Sequence, residues 1–157
     1  MLTYRPEIDG LRAIAVLSVI IYHLQIFLFN NQILAGGYLG VDIFFVISGY
    51  LIASLLLKEI KLNNKIAFLS FYLRRIRRLL PVLFVVIILT FAISWFILLP
   101  SELKDLAQSI YYSLTFRANH YFHYSGQSYG ADLGDVRPFL HNWSLSVEEQ
   151  FYLIFPI

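Results

Sequence analysis

The stretch LLPVLFVVIILTFAISWFILL, residues 79–99, decides the fold class, because no charged side chain interrupts it. A helix needs roughly 20 mainly apolar residues to cross about 30 Å of hydrocarbon. The whole chain of 157 residues is 59% hydrophobic and only 14% charged, whereas about a quarter of the residues of a soluble domain are charged. The stretch therefore predicts a transmembrane helix in a membrane protein.

Further apolar blocks lie near 11–29 and 38–57, and weaker ones near 103–120 and 143–157. The 103–120 block either crosses the membrane with polar residues turned inward or lies at its surface, with Ser101 as candidate N-cap. The first block is too long for a signal peptide core, and no Ala-X-Ala site follows it. We predict an all-α fold, a polytopic transmembrane helix bundle of four to five helices. The last block is shorter than a full crossing, so we expect a truncated domain over residues 1–157.

The connector from Lys58 to Arg78 fixes the predicted orientation, since it is rich in lysine and arginine and holds one acid, Glu59. Cytoplasmic loops carry such an excess, so the connector and the N-terminus are predicted on the cytoplasmic side of the cell membrane. If the fourth block crosses, the loop over 121–142 is cytoplasmic too. A net charge of +2 is too small to suggest nucleic acid, and the absence of cysteine excludes disulfides and thiolate chemistry.

Arg12 and His23 are the two basic residues of the first apolar block. Eleven positions of α-helix turn through about 1100° and rise about 16 Å, so the two side chains share one face. Arg12 either extends its side chain to lipid phosphates at the membrane surface or belongs to a functional site. His23, predicted deep in the membrane, either makes an interhelical hydrogen bond or acts as a general base, since a neutral imidazole exchanges protons near neutral pH.

The motif YLRRIRRLLP, residues 72–81, predicts an anion site. Guanidinium groups bind phosphates in a bidentate manner, and helical spacing places several arginines on one face. The alternative is ordinary cytoplasmic anchoring. Pro81 is predicted in the first turn of the third helix. The four arginines of the motif are Arg74, Arg75, Arg77 and Arg78.

Two other motifs carry polar residues at membrane segments. In GYLGVDIFFVISGYLI, residues 37–52, Asp42 is predicted near the outer end of the second helix, and Ser48 and Gly49 are predicted to allow close helix packing. In HNWSLSVEEQFY, residues 141–152, an intramembrane carboxylate indicates function, and Glu148 shares a helical face with Ser144. Neighbouring residues of a helix point about 100° apart, so Glu149 should not face the same pocket as Glu148.

The remaining polar residues give weaker signals. Trp143 and Tyr152 are typical of aromatic residues at the membrane interface. The spacing of His120 and His123 would suit a metal, but no third ligand is evident, so we expect no metal site.

Taken in order, EIDGLRAIAVLSVIIYH, GYLGVDIFFVISGYLI, LRRIRRLLP and HNWSLSVEEQFY resemble the acyltransferase-3 family of integral-membrane acyltransferases, over the N-terminal part of its domain. The resemblance implies a larger domain of around ten transmembrane helices. It implies transfer of an acyl group, most often acetyl, from acyl-CoA to hydroxyls of surface carbohydrates such as lipopolysaccharide, peptidoglycan or exopolysaccharide. The partners implied are the lipid bilayer, acyl-CoA, a carbohydrate acceptor and the missing C-terminal helices or a partner chain.

The resemblance also assigns roles to residues. Arg12 and His23 fall on the family's paired positions, with His23 as general base and Arg12 holding the donor. The four arginines of residues 74–78 fall on the expected acetyl-CoA site. The family's glutamate motif falls on Trp143, Ser144, Glu148, Glu149, Gln150 and Tyr152. Glu148 is expected to orient His23, supported by Asp42, Trp143, Ser144 and Glu149. The alternatives are a non-catalytic transporter or scaffold, because buried charges also line substrate pathways, and an inactive fragment.

Overall fold

The computed structural model describes residues 5–29, 31–124 and 138–157. In chain order, its elements are α1 (Pro6–His23), β1 (Phe27–Leu28), β2 (Asn31–Gln32), a 3₁₀-helix (Gly37–Leu39), α2 (Gly40–Asn63), α3 (Phe68–Ile97), α4 (Pro100–Leu114), α5 (Ala118–Tyr124) and α6 (Asn142–Ile154). They form two compact units, one ending at Ile66 and one beginning at Ala67. The described chain is therefore mostly helical, as the composition predicts, and the short antiparallel hairpin is unexpected.

Two helical stretches are long and apolar enough to cross a membrane, Gly37–Asn63 and α3. The first contains the predicted block 38–57, and α3 contains residues 79–97 of the predicted block 79–99. In the most apolar window of α3 only 11% of the residues are buried, so the helix presents apolar side chains nearly all round. Such a surface is stable only against lipid or other helices.

Both helices extend into the segment that we predict as a connector between Lys58 and Arg78. The segment contains neither glycine nor proline, and lysine, arginine and leucine are good helix formers. The chain leaves the helix only around Asn64, whose φ of 51° is left-handed, a conformation that asparagine tolerates. The arginines therefore lie on α3 itself, and Pro81 lies inside this helix rather than in its first turn.

The first unit begins with α1, which starts and ends earlier than the predicted block 11–29. Pro6 occupies its first turn, followed by Glu7 and Asp9, and acidic residues are favourable at a helix N-terminus. After His23 the chain turns into the hairpin of β1 and β2. The Gln32 side chain donates a hydrogen bond of 2.9 Å to the Tyr22 carbonyl, which satisfies one of the open carbonyls at the end of α1.

Glycine allows α1 to approach the start of α2 closely at positions that we do not predict, while of the two predicted packing residues Ser48 is buried. A Cβ atom on Gly40 would lie 2.7 Å from Ser18 Oγ and would also meet the Ala15 carbonyl. A Cβ atom on Gly37 would meet the Ser18 carbonyl. Gly49, which we predict to allow close packing, has open space around it. The close approach thus depends on the glycines before and at the helix start.

The second unit divides the predicted 103–120 helix into α4 and α5. The break follows Leu114, and Phe116 adopts a positive φ of 52°. At the start of α4 the Leu99 N–H donates to Glu102 Oε2 at 2.7 Å, so Leu99, and not Ser101, holds the N-cap position. α5 continues to Tyr124, so the first four residues of the predicted 121–142 loop are helical; residues 125–137 of that loop lie outside the described residues.

Two contacts give the direction of α6 relative to α3. The Tyr72 hydroxyl, near the start of α3, donates to the Leu153 carbonyl near the end of α6 at 2.9 Å. Trp143, at the start of α6, packs instead on the hydrophobic core that Ile87 also touches. α6 therefore runs antiparallel to α3 and toward its arginines. The two alternatives for the 103–120 block predict opposite directions for the last helix, and the side of the membrane that each end faces stays a prediction.

A polar clamp joins the α4–α5 break to α6. The Gln150 amide donates to the Phe116 carbonyl at 2.7 Å and to Asn119 Oδ1 at 3.0 Å, and Asn119 donates back to Gln150 Oε1 at 3.1 Å. The Ala118 N–H donates to Ser146 Oγ at 3.2 Å. Buried backbone groups at a helix break need such partners, because an unpaired polar group away from water is costly.

Replacing Gln150 by leucine should lower the free energy of unfolding by about 2–4 kcal/mol, because the Phe116 carbonyl and the Asn119 amide then lose their partners. The measurement is thermal unfolding of the protein in detergent. The control is Gln108→Leu, which removes only an exposed hydrogen bond of 3.3 Å from Tyr121. Equal losses in both variants would contradict the clamp.

Candidate functional site

The four arginines of α3 are not equivalent. Arg74, Arg77 and Arg78 are exposed, whereas Arg75 is half-buried. The Arg75 guanidinium lies 5.7 Å from the centre of the Phe71 ring and 5.1 Å from that of Tyr152. Cation–π contacts of this kind fix a guanidinium in place. The exposed three remain on a surface where an anion can reach them, and Arg75 contacts α6.

The structure brings the arginine motif and the glutamate motif together. Arg75 interacts electrostatically with both Glu148 and Glu149, and Glu149 also interacts with Arg78. The expectation that Glu149 does not face the same pocket as Glu148 stays a prediction, because two carboxylates that point in different directions can both feel the charge of one nearby guanidinium.

The sequence leaves two interpretations of Tyr152 open, a membrane-interface aromatic and a member of the family's glutamate motif. In the structure only 5% of it is exposed. Its hydroxyl donates a hydrogen bond to Glu148 Oε1, and its ring carries the Arg75 guanidinium. The signal available in the sequence is the spacing of Glu148 and Tyr152, which are four residues apart and so meet on one helical face.

Trp143 and Ser144, which we predict to support the site, make contacts within the fold of the second unit. Trp143 packs on the core formed by Leu106, Ala118, Phe122 and Phe139. The Ser144 hydroxyl donates to the His141 carbonyl at 3.1 Å, a local contact at the helix start. The serine that reaches another helix is Ser146, which is 1% exposed and which the sequence does not single out.

Arg12 and His23 both lie on α1, as the sequence predicts, but neither is where the predicted block puts it. Arg12 is in the second turn of the helix rather than at its end, and its guanidinium lies 3.9 Å from Asp9 Oδ1. Within the described residues its buried Nε has no hydrogen-bond partner. His23 is the last residue of α1 and is exposed in the described structure, next to the carbonyl that Gln32 binds.

Asp42 lies in the first turn of α2 and is exposed. The positive end of the helix dipole stabilises a carboxylate there, which accounts for the position of Asp42 without a role in chemistry.

Across residues 5–29, 31–124 and 138–157, no group of three or more metal-binding side chains comes together. His23 lies in the first unit and Glu148 in the second, and their predicted pairing stays a prediction.

Residues 5–157 match the family model of an acyltransferase domain, acyltransferase-3. The peptidoglycan O-acetyltransferase OatA of Listeria monocytogenes is 43% identical over 153 residues, and the O-acetyltransferase OatA of Staphylococcus aureus is 44% identical over 156. Each alignment covers 98% of this chain and 24% of the relative. No solved structure matches the chain.

The chain thus spans about a quarter of the length of the curated relatives it matches. Neither relative's name refers to lipopolysaccharide, so that part of the predicted acceptor range has no support. The match of the family model to nearly the whole chain agrees with the four motifs read from the sequence, and the chain belongs to the acyltransferase-3 family.

Proposed function

We propose that this chain is part of a multi-pass membrane O-acetyltransferase that moves an acetyl group from acetyl-CoA to a hydroxyl of cell-wall carbohydrate. Family membership supports acyl transfer. The name of the Listeria relative, a peptidoglycan O-acetyltransferase, supports peptidoglycan as the acceptor. Two helical stretches long enough to cross a membrane support the location.

The observation that supports binding of acetyl-CoA is the exposed face formed by Arg74, Arg77 and Arg78 on α3. Spacings of three and four residues place these guanidiniums side by side, and each can bind a phosphate oxygen with charge-assisted hydrogen bonds. Coenzyme A is anionic and does not cross lipid. An excess of arginine at one end of a spanning helix favours the cytoplasmic side, where acetyl-CoA is available.

The transfer requires a base for the acceptor hydroxyl, and we assign this role to His23. Its neutral imidazole takes the hydroxyl proton as the sugar oxygen attacks the thioester carbonyl. The carbon–sulfur bond then breaks, and the coenzyme A thiolate leaves and takes the proton from the His23 imidazolium, which restores the neutral base. The imidazolium forms at the C-terminal end of α1, where the helix dipole favours positive charge.

Replacing Arg74 and Arg77 together by glutamine should raise the KM for acetyl-CoA at least tenfold and leave kcat within about twofold. Hydrogen bonds to charged groups contribute about 1.5–3 kcal/mol each, and about 1.4 kcal/mol is a factor of ten. The measurement is transfer of labelled acetyl from acetyl-CoA by membranes that contain the full-length protein.

The matched control is Lys104→Gln, which removes an exposed positive charge from α4 and should leave KM unchanged. An equal rise in KM in the control would show a general charge effect and contradict a site on α3. If the wild-type protein transfers no acetyl under any donor concentration, the acetyltransferase proposal itself fails and a transport or scaffold role replaces it.

A further inference from the structure

Tyr152 contacts both motifs of the second unit at once. Its ring lies 5.1 Å from the Arg75 guanidinium, and its hydroxyl hydrogen-bonds Glu148 Oε1. The side chain is 5% exposed, so both contacts are shielded from solvent and are stronger than they would be in water. A tyrosine can make the two contacts together because its ring face is negative and its hydroxyl is a donor.

Glu148 and Tyr152 lie one turn apart on α6, and Arg75 lies on α3. The contact from Arg75 to the Tyr152 ring therefore ties the arginine helix to the residue that fixes Glu148. A second hydroxyl, that of Tyr72, joins the same two helices through the Leu153 carbonyl at 2.9 Å. The Tyr72 contact reaches backbone only, and it offers a natural comparison.

We propose that Tyr152 is a positioning residue: it holds the Glu148 carboxylate in one orientation through its hydroxyl and holds Arg75 through its ring. The inference rests on the proposed function and on the predicted contribution of Glu148 to it. Arg75 accordingly helps to position the site, and the exposed arginines of α3 bind the donor. Loss of the Tyr152 hydroxyl should affect kcat, and loss of its ring should affect the KM for acetyl-CoA.

The test uses the full-length protein in membranes with acetyl-CoA as donor. Tyr152→Phe keeps the ring under Arg75 and removes only the hydroxyl. It should lower kcat roughly tenfold, the size of one charge-assisted hydrogen bond, and leave the KM for acetyl-CoA within about twofold. Tyr152→Leu removes both contacts and should also raise that KM severalfold, because Arg75 and the adjacent arginines lose their fixed arrangement.

The control is Tyr72→Phe, which deletes a hydroxyl between the same helices without touching Glu148, and it should keep kcat and KM. A double variant separates positioning from packing. If Tyr152 acts through Glu148, then Glu148→Gln with Tyr152→Phe should be no slower than Glu148→Gln alone, because effects of residues that act as a unit are not additive. Protein amount and melting temperature are measured for every variant.

Two results would overturn the inference while the wild-type protein is active. One is a Tyr152→Phe enzyme with wild-type kcat. The other is a double variant whose loss equals the product of the single losses, which indicates two independent effects. An inactive wild-type protein would count instead against the proposed function, so the two failures are distinguishable.

Discussion

Replacing Gly40 by alanine is expected to lower the free energy of unfolding of the first unit by about 3 kcal/mol, at the upper end of overpacking costs. The added Cβ would lie 2.7 Å from Ser18 Oγ and 2.8 Å from Val19 Cγ2, and it would also meet the Ala15 carbonyl. Ala15 is fully buried, so α1 has no room to adjust except by moving as a whole. Thermal unfolding in detergent and the yield of folded full-length protein measure the effect.

The same substitution at Gly49 is the matched control. Gly49 lies on the same helix with open space around its Cα, and alanine is favoured over glycine in a helix by roughly 0.5–1 kcal/mol. Gly49→Ala should therefore leave stability unchanged or raise it. A Gly40→Ala protein as stable as the wild type would show that the close approach of α1 and α2 is not needed.

Replacing His23 by alanine should lower acetyl transfer by at least 100-fold at saturating acetyl-CoA, because a positioned general base contributes about 10²–10⁴ in rate. The KM for acetyl-CoA should change little, since His23 is assigned to the acceptor hydroxyl and not to the donor phosphates. The measurement is the initial rate of labelled acetyl transfer in membranes with the full-length protein.

His120→Ala is the control for this substitution, because His120 is an exposed histidine on α5 without a proposed role, and it should retain its rate. Comparable protein amounts and melting temperatures separate lost chemistry from lost folding. A His23→Ala enzyme with the wild-type rate would end the assignment of His23 as base and leave the arginine site untouched.

The class of the fold and the two clearest helices were predictable from sequence, because an uncharged apolar run has few stable alternatives to a helix in or against lipid. Helix ends were less predictable. α1 ends at His23 although Leu24 and Ile26 to Phe29 are mostly apolar, because Gln32 reaches back to the Tyr22 carbonyl and the chain forms a hairpin there. A contact with a residue ten positions away leaves no trace in local hydropathy.

The candidate site, like the fold, was predictable from the sequence only in part. The arginine and glutamate motifs were recognisable separately, since guanidinium clusters and carboxylates in apolar segments are rare and costly. Their proximity was not recognisable, and neither was the part played by Tyr152, because the spacing of residues along one helix says nothing about which face of another helix it meets.

By itself, the sequence determined that this chain builds apolar helices, which residues carry charge, and which family it belongs to, because these depend on residue types and their order. Only the tertiary structure decided that Gly37 and Gly40 form the close contact of α1 with the start of α2, that the predicted fourth helix breaks at Phe116, and that Arg75 rests on Tyr152. Those outcomes depend on which surfaces meet after folding, where a missing methyl group or a single hydrogen bond between distant residues selects one packing among many.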